Sequence, residues 1–320
     1  MTAHRTAAAS KRPHSSPDDL LRRQLRYARD LVEPLRVAPG ATVALRRDFD
    51  PGYTDSLTSK DEASARLAEG ISLLSDYQER LSAQRTFGVL LVLQGLDASG
   101  KDSTIKHVMS GVNPQGVEVH SFKQPSAEEL DHDFLWRYER SLPERGRIGI
   151  YNRSHYEEVL VVRVHPDLLA GERLPRPTRT GGVWKRRYRE INDWERYLSH
   201  NGIRVVKILL NVSKREQGRR FLERIDHPRK NWKFSVNDIR EREHWNAYQK
   251  AFEEMLTATS TKWAPWHVVP ADHKWFTRLA TAAILVDALA EIDPQYPQAA
   301  PELRQEMIDA GVALRRELES

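Results

Sequence analysis

The sequence contains no cysteine. That excludes disulfides, thiolate nucleophiles and cysteine-ligated zinc, and it fits a reducing cytoplasm. No apolar run approaches the length of a membrane span, so no membrane partner is expected. The start, MTAHRTAAASKRPHSSPDD, lacks the apolar core of a secretory signal and reads as a disordered tail over residues 1–17. Aromatic residues make up only 8% of the 320 residues, against 39% hydrophobic and 30% charged, the balance of a rather polar globular chain of one large or two ordinary domains. Net charge is only +5, but the cations are unevenly placed. Lys214, Arg215, Arg219, Arg220, Arg224, Arg229, Lys230 and Lys233 crowd one stretch, opposed by Glu216, Glu223 and Asp226; a second cluster is Lys185, Arg186, Arg187 and Arg189. A lone run of this kind is usually a solvated helix face.

What is present is an alternation of short apolar runs and amphipathic segments. Candidate strands are Gly88–Gln94, Val117–Phe122, Ile148–Tyr151, Val205–Asn211 and His267–Pro270. Capping boxes at Ser59–Glu62, Ser126–Glu129 and Ser213–Glu216 open helices. Aromatic stripes at helical spacing, Trp184–Tyr188–Ile191–Trp194–Leu198 and Trp245–Tyr248–Phe252–Met255, are expected in the core. Strands alternating with helices imply a three-layer α/β/α fold around a mostly parallel sheet, with ligands bound beyond the carboxyl ends of the strands. The expected division is the tail, one domain over residues 18–295 with a helical lid at about 213–245, and a C-terminal helix in 296–320 that packs back or supports a homo-oligomer.

VLLVLQGLDASGKDS places Gly95, Gly100 and Lys101 at P-loop spacing between a strand and a helix. Backbone N–H groups from Ala98, Ser99, Gly100 and Lys101 onward, through Asp102 and Ser103, would face phosphate oxygens at the positive end of the helix. Two residues depart from an ordinary ATP-binding loop. Asp102 stands where Ser or Thr should hold Mg²⁺, and Asp97 puts a carboxylate into a cradle for anions. A carboxylate beside phosphates is repelled unless a divalent cation bridges them, so Asp97 is read as a metal ligand. In RIGIYNRSHYEE, Asn152, Arg153 and Ser154 emerge at a strand's carboxyl end, where a planar guanidinium can bridge two phosphoryl groups or pair with Glu157 or Glu158. His155 has no second His at metal-ligand spacing and is expected to pack or hydrogen-bond. RRFLERIDHPRKNWKFSVND reads as two helices with cations at their junction, able to close over an anion as phosphoryl transfer requires.

GLDASGKD, NRSHYEEVLVVRVHP and RIDHPRKNWKFS together resemble the family-2 polyphosphate kinases, over about Asp48 to Asp272, with SGVNPQGVEVHSFKQPS and ELDHDFLWR also matching. The resemblance implies a thymidylate-kinase-like P-loop fold and Mg²⁺-dependent transfer (Mn²⁺ as a substitute) between inorganic polyphosphate and AMP or ADP. It places polyphosphate at Gly95–Lys101, metal near Asp97, phosphate contacts at Arg153, Arg224, Arg229, Lys230 and Lys233, and the acceptor near Asp133 and Arg137. Many members have Asp-Arg-Ser where this chain has Asn152, which leaves direct metal binding there open. Two competing readings are an ATP-dependent nucleoside monophosphate kinase and a basic nucleic-acid-binding protein.

Overall fold

The computed structural model describes residues 16–57, 59–175 and 182–320. The expected tail therefore lies outside the described residues except at its end, where Ser16 caps a helix that already includes Pro17. Among the described residues five strands form one sheet: β1 (Gly88–Gln94), β2 (Val117–Ser121), β3 (Ile148–Asn152), β4 (Ile203–Asn211) and β5 (Trp266–Pro270). Their order is β2-β3-β1-β4-β5, and every pairing is parallel. Helices of eight residues or more are labelled α1 (Pro17–Val32), α2 (Lys60–Gln84), α3 (Lys101–Val108), α4 (Val183–His200), α5 (Lys214–Asp226), α6 (Trp245–Thr259), α7 (Lys274–Ile292) and α8 (Pro301–Leu318).

Apart from the edge strand β2, which is partly exposed, the strands are buried on both faces, as in parallel sheets covered by crossover helices. Alternate residues sort to opposite sides. Val89, Leu91, Leu93, Ile148, Ile208 and Val269 pack with α1, α2, α3 and α7. Leu90, Val92, Tyr151, Val205, Leu209 and Trp266 pack with α4 and α6. Both expected aromatic stripes lie on this second side except for Trp245, which is buried beside a cleft at the sheet's carboxyl edge, and Trp184 is only half-buried. The reciprocal capping box forms at Ser126. At Ser213 the hydroxyl accepts from the Glu216 N–H, but the Glu216 carboxylate turns away to Arg219 and Arg220.

Two cations of the basic clusters are not on solvated faces. Arg187 is buried, donating to the Glu158 carbonyl at 2.8 Å and pairing with Glu158 and Glu172. Burial and the neighbouring Glu172 push the Glu158 carboxyl up to about 8. Arg220 of α5, 4% exposed, is the other. By contrast α8 buries none of its residues, so the expectation that it might pack back is not met.

Under the sheet, Lys207 of β4 has no exposure. Its Nζ donates to Glu195 Oε2 of α4 at 2.6 Å, to Tyr156 Oη at 2.9 Å and to the Thr259 carbonyl of α6 at 2.7 Å. All three ammonium protons are thereby satisfied. Tyr156 Oη donates to Glu195 Oε1 at 2.7 Å, and His155 packs against the same carboxylate. Removing one member of such a pair strands a buried charge, at a cost of about 3–5 kcal/mol. Lys207→Met should therefore lower the urea midpoint markedly, and adding Glu195→Leu should recover much of the loss; a single variant as stable as wild type would contradict this.

Candidate active site

The parallel order sets the carboxyl ends of β1, β3 and β4 side by side, and the loop Gly95–Gly100 leaves β1 there. Gly95 has φ +151°, and a Cβ on it would meet Ser99 Oγ at 2.7 Å and the Leu210 carbonyl at 2.9 Å. Only glycine lets the loop pass so close to β4. Lys101, at the start of α3, is buried and folds back, its Nζ donating to the Gly95 carbonyl at 2.7 Å. Burial, together with the positive charge of Arg153, pulls its pKa below the usual lysine value, opposed by Asp97.

The carboxylate in the loop has a partner across the sheet. Arg153 Nη2 of the turn after β3 donates to Asp97 Oδ1 at 2.5 Å, and Nη1 reaches Glu157 at 3.5 Å. The Arg153 backbone is held at φ +65°, a left-handed conformation uncommon for residues other than glycine, with its N–H bonded to the Leu93 carbonyl at 3.1 Å. Burial raises the Asp97 pKa, but Lys101, Arg153 and Arg224 outweigh it and hold the carboxyl below its ordinary range. Asp97 is thus an ionised carboxylate in a positive cradle. The Ser99 hydroxyl is buried in the loop without a hydrogen-bond partner.

Asn152 and Asp102 form a second pair. Asn152 Nδ2 donates to Asp102 Oδ1 at 2.6 Å and approaches Ser121 Oγ at 3.4 Å. Asn152 is therefore spent on Asp102, apart from the Asp97–Arg153 pair. Ser103 Oγ accepts from Arg278 at 3.1 Å.

Of the cations expected to hold phosphates, Arg224 is paired with Asp238 at 3.2 Å and Lys230 with Glu223. Arg229 is exposed, and Lys233 lies over the Trp232 ring at 4.9 Å. Asp133 and Arg137 lie on the segment following β2. Asp133 accepts from the Leu135 N–H at 2.9 Å; Arg137 donates to the Lys123 carbonyl at 3.0 Å, pairs with Glu129 and covers Phe122. Neither lines the cleft in front of the loop, which is walled by Gly95, Asp97, Arg153, Glu157, Gln217, Asp238, Arg242 and Tyr248.

Three of those residues escaped the sequence reading: Gln217, Asp238 and Arg242. Arg220 was seen only as one cation of a basic run. It is 4% exposed and donates to the Ala98 and Ser99 carbonyls at 2.9 and 2.8 Å, and to those of Ala271 and Asp272. The available signal was positional: Gln217, Arg220 and Phe221 share the face of α5 that an ordinary amphipathic helix would fill with apolar residues.

Residues 57–297 match the family model described as polyphosphate kinase 2. The chain is 47% identical over 281 residues to an ADP-polyphosphate phosphotransferase of Rhodopseudomonas palustris, spanning 87% of this chain and 96% of that one. It is 43% identical over 278 residues to an AMP/ADP-polyphosphate phosphotransferase of Meiothermus ruber, spanning 87% and 99%. A crystal structure of polyphosphate kinase 2 from Arthrobacter aurescens TC1 superimposes with a TM-score of 0.78 at 38% identity, covering 87% of this chain and 96% of that one.

The Asn152–Asp102 contact gives a direct test. Asn152→Asp would set two carboxylates at hydrogen-bond distance, which cannot both ionise without a proton or cation between them. In metal-free buffer the variant should melt lower by about 2–4 °C, the scale of 1 kcal/mol in a chain of this size. Added Mg²⁺ should restore the loss; equal melting of the two proteins with and without Mg²⁺ would show that the pair senses no charge.

Proposed function

Since the chain belongs to the polyphosphate kinase 2 family, we propose that it transfers the terminal phosphoryl group of inorganic polyphosphate to AMP or ADP. The carrying observation is the match of family and loop: residues 57–297 fit the family, and within them Asp97 and Lys101 face Arg153 at the carboxyl edge of the sheet. Family membership sets aside the ATP-dependent monophosphate kinase and the nucleic-acid-binding protein as readings.

Phosphoryl transfer asks a protein mainly to position its substrates and to neutralise charge. An acceptor phosphate oxygen is already ionised at neutral pH, so the chain need supply no strong general base. Backbone N–H groups of the loop and the start of α3 would bind the donor phosphates. Lys101 and Arg153 would stabilise the three oxygens of the moving group, Arg153 bidentately. The described residues include no group of three or more His, Cys, Asp or Glu able to hold a metal by themselves. That suits Mg²⁺, or Mn²⁺, carried by Asp97 together with substrate oxygens, since Mg²⁺ commonly takes one or two carboxylates plus phosphate. When bound, the cation would neutralise the negative charge shared by donor and acceptor.

In the lid, a polyanion would compete with Asp238 for Arg224 and with Glu223 for Lys230, while Arg229 stands ready at the surface. A homo-oligomer completes the reading, supported by the apolar side chains that α8 leaves exposed, among them Leu303, Met307 and Leu314. So does a cytoplasmic location. Among the described residues no helix is long and apolar enough to cross a membrane.

The decisive assay offers AMP, ADP and GDP to the purified protein with polyphosphate and Mg²⁺, against ATP as donor. Polyphosphate-dependent product from AMP or ADP is expected; turnover with ATP alone would refute the reading. Asp97→Asn should lower turnover by at least about a hundredfold, the scale of losing a preorganised electrostatic group, and near-normal rate would remove Asp97 from the metal site. Arg229→Ala with Lys230→Ala should raise KM for long chains more than for short ones, because long chains meet more cations at once. Unchanged KM at every length would leave the cluster a solvated face.

A further inference from the structure

Gln217 is 4% exposed, and both ends of its amide are engaged. Nε2 donates to the Asp97 carbonyl at 3.0 Å, and Oε1 accepts from Arg242 Nη1 at 2.8 Å. A carbonyl can only accept and a guanidinium can only donate, so the two partners fix which way the amide points. Arg242 follows the short helix Val236–Glu241 and also donates to the Lys214 carbonyl at 3.1 Å. It lies over Gly218, where a Cβ would stand 3.2 Å from its guanidinium, so a side chain there would crowd the bridge.

A trans peptide points its C=O and N–H in opposite directions. Holding the Asp97 carbonyl toward α5 therefore turns the Ala98 N–H the other way, away from α5. Ala98 has φ +62°, a conformation that alanine adopts only when its surroundings impose it. Arg220 holds the next two carbonyls in the same manner, but it is anchored to the core by Ala271, Asp272 and Glu216. Gln217 is anchored instead to the strap Val236–His244. That strap is fastened by Asp238 to Arg224 at 3.2 Å, and by Glu241, which accepts from His165 and from Tyr248, each at 2.9 Å.

We propose that Gln217 is a positioning residue that couples the strap to the phosphate loop: Arg242 orients its amide, and the amide orients the Asp97–Ala98 peptide that meets the donor phosphate. The inference rests on the phosphotransfer reading. A polyphosphate chain that draws Arg224 away from Asp238 loosens one fastening of the strap. The bridge through Arg242 then carries that change to the loop, so that loop geometry depends on whether the lid holds a polyanion.

The test is a double-substitution cycle with Gln217→Met, Arg242→Met and both together, assayed well below the melting transition of every variant. Each single variant should lose about tenfold in kcat, the scale of one well-placed hydrogen bond, with KM for AMP or ADP unchanged. The double variant should lose little more, because the two residues act as one unit. Calorimetric binding of inorganic tripolyphosphate, which needs no turnover, should weaken severalfold in Gln217→Met. Wild-type kcat and tripolyphosphate affinity in Gln217→Met, or fully additive losses in the double variant, would overturn the proposal. A wild-type protein that turned over no acceptor would count against the proposed function, while the binding arm would still decide the role of Gln217.

Discussion

The ion pair between Asp97 and Arg153 is the interaction around which the site is arranged. The loop Gly95–Lys101 is electropositive through the start of α3 and the Lys101 ammonium. The Asp97 carboxylate inside it stays ionised because Lys101, Arg153 and Arg224 hold its pKa down. Arg153 reaches it because β3 lies next to β1, in a register that opposes Leu93 to Asn152. Without that adjacency the carboxylate would face only its own loop. With it, a carboxylate and a guanidinium are fixed face to face at the carboxyl edge of the sheet.

Several buried polar groups in and behind the cleft wall make this arrangement rigid. Lys207, Glu195 and Tyr156 tie the turn after β3 to α4 and α6. Arg220 and Gln217 tie the loop's carbonyls to α5. Each is buried, and each has its hydrogen-bonding capacity largely satisfied, which is the condition under which buried polar groups specify a conformation rather than destabilise it. The outer cations are arranged differently. Arg224 and Lys230 are half-exposed and paired with Asp238 and Glu223, pairs weak enough for a polyanion to displace.

The sheet was legible because its signals are local. Short apolar runs bounded by turns located each strand to within two residues, and the parallel layout followed from alternation with helices. Asp97, Lys101 and Arg153 were legible because a carboxylate in a P-loop and an arginine at a strand end are chemically conspicuous. Strand order was not legible, nor was the pairing of Asn152 with Asp102, since both depend on contacts between distant segments. Gln217 and Arg220 were hidden for another reason: in a basic helix they look like solvent-facing residues, and only the packing of α5 against the loop gives them a role. Asp133 and Arg137, assigned by resemblance to the acceptor, are engaged in local contacts outside the cleft wall.

If Asp97 carries the divalent cation as proposed, phosphate binding in the loop depends on Mg²⁺. Calorimetric titration of inorganic tripolyphosphate into wild type and Asp97→Asn, each with and without Mg²⁺, measures that dependence without any turnover. Mg²⁺ should strengthen binding strongly in wild type and little in the variant, and the variant should bind better than wild type in metal-free buffer because one repulsive charge is gone. The same Mg²⁺ response in both proteins would contradict it.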